Sequence, residues 1–242
     1  MAEFFASLKS DFIKCFITKN RWKFITEGLG ATLKITLLSC IMGIAIGLVI
    51  AIIRSTYDKN YKQLRGGIGK ALLAFANFFC NLYLTVIRGT PVVVQLLIAY
   101  FIIFVSSNNG IMVAAIAFGI NSGAYVAEIL RGGIMSVDNG QFEASRSLGF
   151  NYIQTMLYII IPQVIKSVLP TLLNEFIALI KETSVAGYVG IMDLTKGGDI
   201  IRGRTFSAYM PLLAVAAVYL IIVMILTFVV GKVERGLRKS ER

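Results

Sequence analysis

The segment Glu143-Ala144-Ser145-Arg146-Ser147-Leu148-Gly149, followed nine residues later by Ile159-Ile160-Ile161-Pro162, decides how this chain is organised. It is a polar segment between stretches that are mostly apolar. The residues before Gly149 can form a short helix, Gly149 permits a sharp turn, and the residues after it can form a second helix. Pro162 is expected to end that second helix or to kink it into the next apolar stretch. The pattern predicts a compact knob that could fit a groove on a partner, with an ordinary connector as the alternative.

The composition is that of a membrane protein. The 242 residues are 57% apolar and 15% charged, with a mean hydropathy of +0.76, whereas soluble domains are nearer a quarter charged. A net charge of +11 would also suit a nucleic-acid partner. The basic residues flank apolar stretches, however, as the positive-inside rule expects of a protein in a lipid membrane. We therefore predict no nucleic-acid partner.

Catalytic and metal-binding residues are scarce. The chain has no histidine, and its three cysteines show no metal-ligand spacing, so we predict no metal site and no cofactor in this chain. The sequence Gly66-Gly67-Ile68-Gly69-Lys70-Ala71 comes nearest to a phosphate-binding loop. It lacks the earlier glycine and the Ser or Thr after the lysine that such a loop needs. We predict that the chain is not an enzyme and that any ATP hydrolysis belongs to a separate subunit.

Five apolar spans predict an all-α membrane protein with five transmembrane helices, at roughly residues 32–53, 72–105, 111–130, 159–186 and 208–230. The second is too long for one straight crossing and is interrupted at Arg88-Gly89-Thr90-Pro91, because proline disfavours continuous helix. Gly43 and Gly47 are spaced for close contact between helices. The glycine-rich residues 187–206 are predicted to form a loop.

The N-terminal residues have helical periodicity. Apolar side chains recur at three- and four-residue spacing between residues 4 and 16: Phe4, Phe5, Leu8, Phe12, Cys15 and Phe16. This predicts an amphipathic interfacial helix within residues 1–27, followed by a transmembrane domain at 28–235 and a basic tail at 236–242. An odd number of spans separates the termini, and the basic loops place the N-terminus outside and the C-terminus in the cytoplasm.

The fourth span carries two carboxylates, Glu175 and Glu182. Seven residues of helix separate them by about 10 Å along one face. Because charges inside a membrane usually face a cavity or a partner, they could bind a cationic group. The alternative is that Lys181 neutralises one of them within the helix.

Two further charges lie near helix ends or breaks. Glu128 in the third span is expected to pair with Arg131 one turn later. Arg88, beside the break in the second span, could hold a carboxylate or pin the bent helix, and we favour the structural role.

The segment at 143–162 resembles the cytoplasmic signature of the membrane subunits of ABC importers: Glu-Ala-Ala, three residues, Gly, nine residues, Ile, one residue, Leu-Pro. Ser145 and Ile161 depart from it, each by a small change. Residues 31–36, 88–95, 121–134 and 174–184 look like the polar amino-acid branch of these permeases. The resemblance covers about residues 28–235.

This resemblance implies several partners. Two ATPase subunits, which bind ATP and Mg, would dock on the 143–162 loop. A second permease subunit, identical or related, would complete the pathway, and an extracytoplasmic binding protein would deliver the amino acid. The chain would lie in the bacterial cytoplasmic (inner) membrane and work by alternating access.

The resemblance also implies roles for individual residues. The expected coupling residues are Glu143, Ala144, Gly149 and Pro162. The expected substrate-binding residues are Glu175, Glu182, Asn121, Tyr125, Thr90 and Gln95. The paired glutamates favour a cationic amino acid (arginine, lysine or histidine), with glutamine or another polar amino acid as the alternative. A secondary transporter without an ATPase is the competing hypothesis, but it leaves the signature unexplained.

Overall fold

The computed structural model describes residues 2–61, 64 and 66–239, with side chains for 7–61, 64 and 66–237. Helices dominate these residues and no strand occurs among them, which confirms the all-α prediction. The α-helices are α1 (Ala2–Phe12), α2 (Trp22–Asn60), α3 (Ile68–Gly89), α4 (Val92–Ile98), α5 (Gly110–Ser136), α6 (Asn139–Ser147), α7 (Tyr152–Thr155), α8 (Ile161–Glu182), α9 (Leu194–Thr205) and α10 (Tyr209–Lys239).

Five helical runs are long and apolar enough to cross a membrane, as predicted: Trp22–Asn60, Ile68–Gly89, Gly110–Ser136, Tyr152–Val189 and Tyr209–Leu237. Several of these helices are longer than the apolar spans predicted from the sequence. Helix α2 has 39 residues, or about 58 Å, against a hydrocarbon thickness of about 30 Å. The helix therefore continues past its predicted ends, and the boundary expected between residues 27 and 28 falls inside it.

The second predicted span is broken where the sequence indicates. Helix α3 ends at Gly89, and Thr90 is extended with φ −120° and ψ 145°, as expected for a residue before proline. Helix α4 begins after Pro91 and continues into a π-helical turn, Ala99–Ile103.

Pro162 does not end the helix before it. Helix α7, a π-helical turn at Met156–Ile160 and helix α8 form one continuous helical run. A proline ring collides with the carbonyl four residues earlier in an α-helix, here that of Tyr158. The turn that contains Tyr158 is π-helical, so the backbone there departs from regular α-helical spacing.

The chain divides into two compact units. Unit 1 comprises Met1–Ser39, Val92–Phe118 and Ile177–Val229, and unit 2 comprises Cys40–Pro91, Gly119–Phe176 and Val230–Arg242. Each unit has buried apolar clusters. Unit 1 contains Cys15, Phe16 and Ile201, whereas unit 2 contains one cluster around Ile50, Cys80, Leu84, Ala124 and Ala127 and another around Ile134, Ile160, Val164 and Val168.

The N-terminal segment packs onto α9 within unit 1. Cys15 and Phe16 are buried against Ile201, and the Cys15 thiol donates to the Thr205 hydroxyl at 3.8 Å. Other apolar side chains of the segment stay exposed, including Phe12 and Ile17. One face of the segment therefore packs against α9, and the opposite face is exposed. The side chains of Phe4 and Phe5 lie outside the described residues.

The loop predicted at residues 187–206 is wrong in its second half, which forms α9. Two of its glycines serve close packing rather than turns. A Cβ on Gly197 would lie 2.3 Å from the Phe24 carbonyl oxygen, and one on Gly198 would lie 2.4 Å from Val215 Cγ2. Glycine is required there because α2 and α10 approach the backbone of α9.

Asp193 begins α9 from a fully buried position. Its Oδ1 accepts from the Lys196 N–H at 2.8 Å and caps the helix. Its Oδ2 is buried and has no hydrogen-bond partner among the described residues. Burial raises the pKa of Asp193 from 3.8 to about 6, although the backbone hydrogen bonds act in the opposite direction.

This raised pKa predicts a pH-dependent stability. The folded state binds the proton more tightly than the unfolded state, so the stabilising contribution is full below pH 3.8 and is lost as the pH rises through about 6. Asp193→Asn keeps a capping side chain but cannot ionise. We expect the thermal midpoint of the wild type to rise, relative to this variant, between pH 7 and pH 5. Parallel midpoints over that range would contradict the assignment.

Candidate functional site

Within unit 2, the second part of α2 and the second part of α5 touch at backbone distance. A Cβ on Gly47 would lie 2.5 Å from Val126 Cγ1, and one on Gly43 would lie 3.0 Å from Ser122 Oγ. This confirms the close contact predicted from the two glycines. It also brings the polar residues of α5 beside α2.

A network of charges lies on the same two helices. Arg54 donates to Glu128 at 2.6 Å, and Arg131 donates to Glu128 at 3.2 Å and to Asp58 at 3.1 Å. The predicted pair of Glu128 and Arg131 is confirmed. The sequence did not predict the roles of Arg54 and Asp58, because both lie beyond the first predicted span, which ends at residue 53. Their spacing of four on one helix face was the available signal.

Arg88 lies at the edge of this network. Its Nη1 is 4.0 Å from Glu128 Oε1, and its side chain is 46% exposed. The guanidinium carbon is 5.8 Å from the centroid of the Tyr125 ring, within the range of a cation–π contact. Arg88 is the penultimate residue of α3, beside the break at Thr90 and Pro91.

Four of the predicted substrate residues belong to unit 2. Glu175 is half-buried on α8 and accepts from the Ser122 hydroxyl at 3.4 Å. Asn121 is buried beside Ser122, whereas Tyr125 is the one exposed side chain between residues 121 and 127. Thr90 is exposed, and its hydroxyl donates to the Val86 carbonyl at 2.8 Å.

The other two predicted substrate residues, Gln95 and Glu182, belong to unit 1. Both are half-buried, on α4 and at the end of α8 respectively. Glu182 precedes Thr183, a fully buried residue whose hydroxyl lies 3.5 Å from that of Thr36. Lys181, the cation that could neutralise a neighbouring carboxylate, is exposed.

The segment from α6 to α7 has the two helices and the turn that the sequence predicts. Asp138 caps α6 by accepting from the Gly140 N–H, and Gly149 adopts a left-handed φ of +84°. Asn151 and Gln154 form a reciprocal capping box at the start of α7. Ser145, which departs from the family pattern, is buried, and its hydroxyl donates to the Gln141 carbonyl. A serine therefore fits here in place of alanine.

The outer surface of this segment carries exposed side chains. Glu143 and Ala144 are exposed. The apolar side chains of Leu148, Ile153 and Tyr158 are 75%, 67% and 71% exposed. An exposed apolar surface on a membrane protein is covered by lipid or by a partner.

The end of α2 holds α6 in place. The Lys59 ammonium lies 3.8 Å from the centroid of the Phe142 ring and donates to Asn139 Oδ1 at 3.4 Å. A cavity of about 410 Å³ opens here, and Glu143, Arg146 and Tyr152 contribute to its walls. This contact was not predicted from the sequence.

The family model for the binding-protein-dependent transport system inner membrane component matches residues 67–239. The chain belongs to this family. A putative glutamine transport system permease protein, GlnP, of Rickettsia conorii is 39% identical over 215 residues, 88% of this chain and 92% of that protein. The arginine transport system permease protein ArtQ of Bacillus subtilis is 34% identical over 222 residues, 90% of this chain and 94% of that protein.

The solved structures agree with this assignment. The crystal structure of an amino acid ABC transporter with histidines superposes with a TM-score of 0.77 and 36% identity, over 91% of this chain and 97% of that chain. The chain is thus the permease of an amino-acid ABC importer, a transport component embedded in a membrane. Membership in the family implies ATPase and binding-protein partners.

The contact at Lys59 yields a prediction for the permease alone. Lys59→Gln removes the cation over Phe142, so α6 should open more often. A cation–π contact is worth about 0.5–1 kcal/mol at exposed sites, which corresponds to a roughly two- to fivefold faster amide hydrogen exchange in α6. The matched control is Lys70→Gln, which removes a cation over Tyr61 instead and should leave α6 unchanged. Equal exchange in all three proteins would contradict the prediction.

Proposed function

We propose that this permease moves a cationic amino acid (arginine, lysine or histidine) across the bacterial cytoplasmic membrane. The observation that carries the proposal is Glu175, a half-buried carboxylate on a membrane-spanning helix beside the buried Ser122 and Asn121. A charge at mid-membrane costs about 2.5–3.5 kcal/mol on insertion scales, and such groups usually serve a ligand or an ion. The assignment of Glu182, Tyr125, Thr90 and Gln95 as substrate residues rests on the sequence resemblance.

A second candidate is glutamine. The relative in Rickettsia conorii is named for glutamine transport, and the relative in Bacillus subtilis is named for arginine transport. A glutamine side chain could donate its amide to the same carboxylates. Family membership sets aside the secondary transporter.

We further propose the assembly that drives transport. Two ATPase subunits, each binding ATP and Mg, dock on residues 143–162 of two permeases, which are identical or related. The exposed Leu148, Ile153 and Tyr158 support this docking surface. An extracytoplasmic binding protein delivers the amino acid. The N-terminus lies outside and the C-terminus in the cytoplasm, so that the docking surface faces the ATPase.

Alternating access follows from the connection between the docking surface and α8. The helical run Tyr152–Val189 has no break between the exposed residues of α7 and the carboxylates of α8. A displacement of α7 by the closing ATPase would therefore be passed along α8 to Glu175. The permease breaks no covalent bond in this cycle.

The substrate assignment is tested with the reconstituted complex of permease, ATPase and binding protein. We expect arginine, lysine or histidine to stimulate ATP hydrolysis. Glu175→Gln and Glu182→Gln should raise the half-maximal concentration about tenfold, since a hydrogen bond to a charged group contributes about 1.5–3 kcal/mol. Glu234→Gln, near the end of α10, is the control. Stimulation by glutamine that both variants leave unaltered would reject the cationic assignment.

The coupling role of the turn is tested at Gly149. Its left-handed φ of +84° is accessible to asparagine but strained for a β-branched residue. We expect Gly149→Val to lower the amount of amino acid taken up per ATP hydrolysed, with Gly149→Asn close to the wild type. An unchanged ratio in the valine variant would show that the turn does not couple the two subunits.

A further inference from the structure

We propose that Arg88 binds the α-carboxylate of the transported amino acid. The inference deepens the proposed function and rests on an amino acid being the substrate. It reverses the structural role that the sequence alone favours for Arg88. It concerns the part that all amino acids share, so it is independent of the side chain that the permease selects.

Both oxygens of Glu128 already accept from other guanidinium groups at closer range than Arg88. Glu128 Oε1 accepts from Arg54 at 2.6 Å, and Glu128 Oε2 accepts from Arg131 at 3.2 Å. The separation of 4.0 Å between Arg88 and Oε1 exceeds the 2.7–3.2 Å typical of hydrogen bonds between nitrogen and oxygen. A residue that pinned the end of α3 would be expected to make the shorter contact.

The ion-pair network around Glu128 carries an excess positive charge. The network joined by these ion pairs contains three guanidinium groups, those of Arg54, Arg88 and Arg131, and two carboxylates, those of Asp58 and Glu128. It therefore has one positive charge in excess within the described residues. In the low dielectric of a membrane protein, an anion that joins the network is favoured more strongly than it would be in water. A carboxylate fits a guanidinium in a bidentate geometry.

The Arg88 side chain is accessible to a ligand. Arg88 is 46% exposed beside Tyr125, the exposed side chain in an otherwise buried stretch of α5. The break at Thr90 and Pro91 interrupts the helix directly after it. Ser122, one turn from Tyr125 and about 4.5 Å along the helix axis, holds Glu175. A cation and an anion thus lie beside successive turns of one helix, so a ligand whose carboxylate binds Arg88 could present a positively charged group to Glu175.

The experiment compares each free amino acid with its α-amide. The ligands are arginine and argininamide, or glutamine and glutaminamide if the wild type transports glutamine. Binding is measured calorimetrically on the complex of permease and ATPase without the binding protein, so that only the permease discriminates. We expect Arg88→Gln to weaken binding of the free amino acid about tenfold or more and to change binding of the amide less than twofold. Arg88→Lys should fall between, because lysine keeps the charge but loses the planar fork.

A purely structural role gives a different pattern. In that case Arg88→Gln weakens binding of the acid and the amide equally, and Glu128→Gln, which removes the same contact from the other side, reproduces its effect. Either result would overturn the inference. If Arg88→Gln does not assemble, the comparison of acid with amide in Arg88→Lys decides: a loss confined to the acid supports the inference, and an equal loss overturns it.

The proposed function fails separately. If the wild-type complex transports glutamine but not arginine, only the cationic assignment is wrong, and the experiment proceeds with glutamine. If the wild type transports an amino acid while Arg88→Gln binds it with unchanged affinity, the inference is wrong and the proposed function stands. If the wild type transports no amino acid, both are wrong.

Discussion

The close contact of α2 with α5 is the constraint on which the unit 2 site depends. Lipid offers little hydrophobic driving force between helices, so tight packing of small residues has to hold them together. A Cβ on Gly47 would lie 2.9 Å from the Ala127 nitrogen, so no larger residue fits without movement. The same approach puts Arg54 against Glu128 and leaves Ser122 beside α8. Charges that would be costly alone in a membrane thereby acquire partners.

The features that the sequence predicted correctly are those with local causes. Pro91 restricts the residue before it to extended backbone and so separates α3 from α4, Gly149 permits a left-handed turn, and Asn151 caps the helix that follows it. The helical conformation of α9 could not be predicted from local causes. Gly197 normally disfavours a helix by about 1 kcal/mol, and it is tolerated only because the Phe24 carbonyl occupies the space a side chain would need. That reason is visible only in the folded chain.

The candidate site shows the same division. A charge within an apolar span is conspicuous in a sequence, and Glu175 and Glu128 were identified on that ground. Arg131 was predicted as a partner of Glu128, but Ser122 and Arg54 were not predicted as partners, because they are 53 and 74 residues away along the chain. The sequence favoured a structural role for Arg88. Since Arg54 and Arg131 each donate to one oxygen of Glu128 while Arg88 stays 4.0 Å away, that role is not supported by a close contact.

Two features of the fold bear on the proposed transport cycle. The helical run Tyr152–Val189 continues without a break from the proposed docking surface to Glu175. Helix α3, which carries Arg88, ends at Gly89 beside the extended Thr90. If Glu175 moves with α8 while Arg88 stays with α3, a substrate held between them loses one of its two contacts during each cycle. Release would then follow from the motion itself, without any loss of affinity built into either residue.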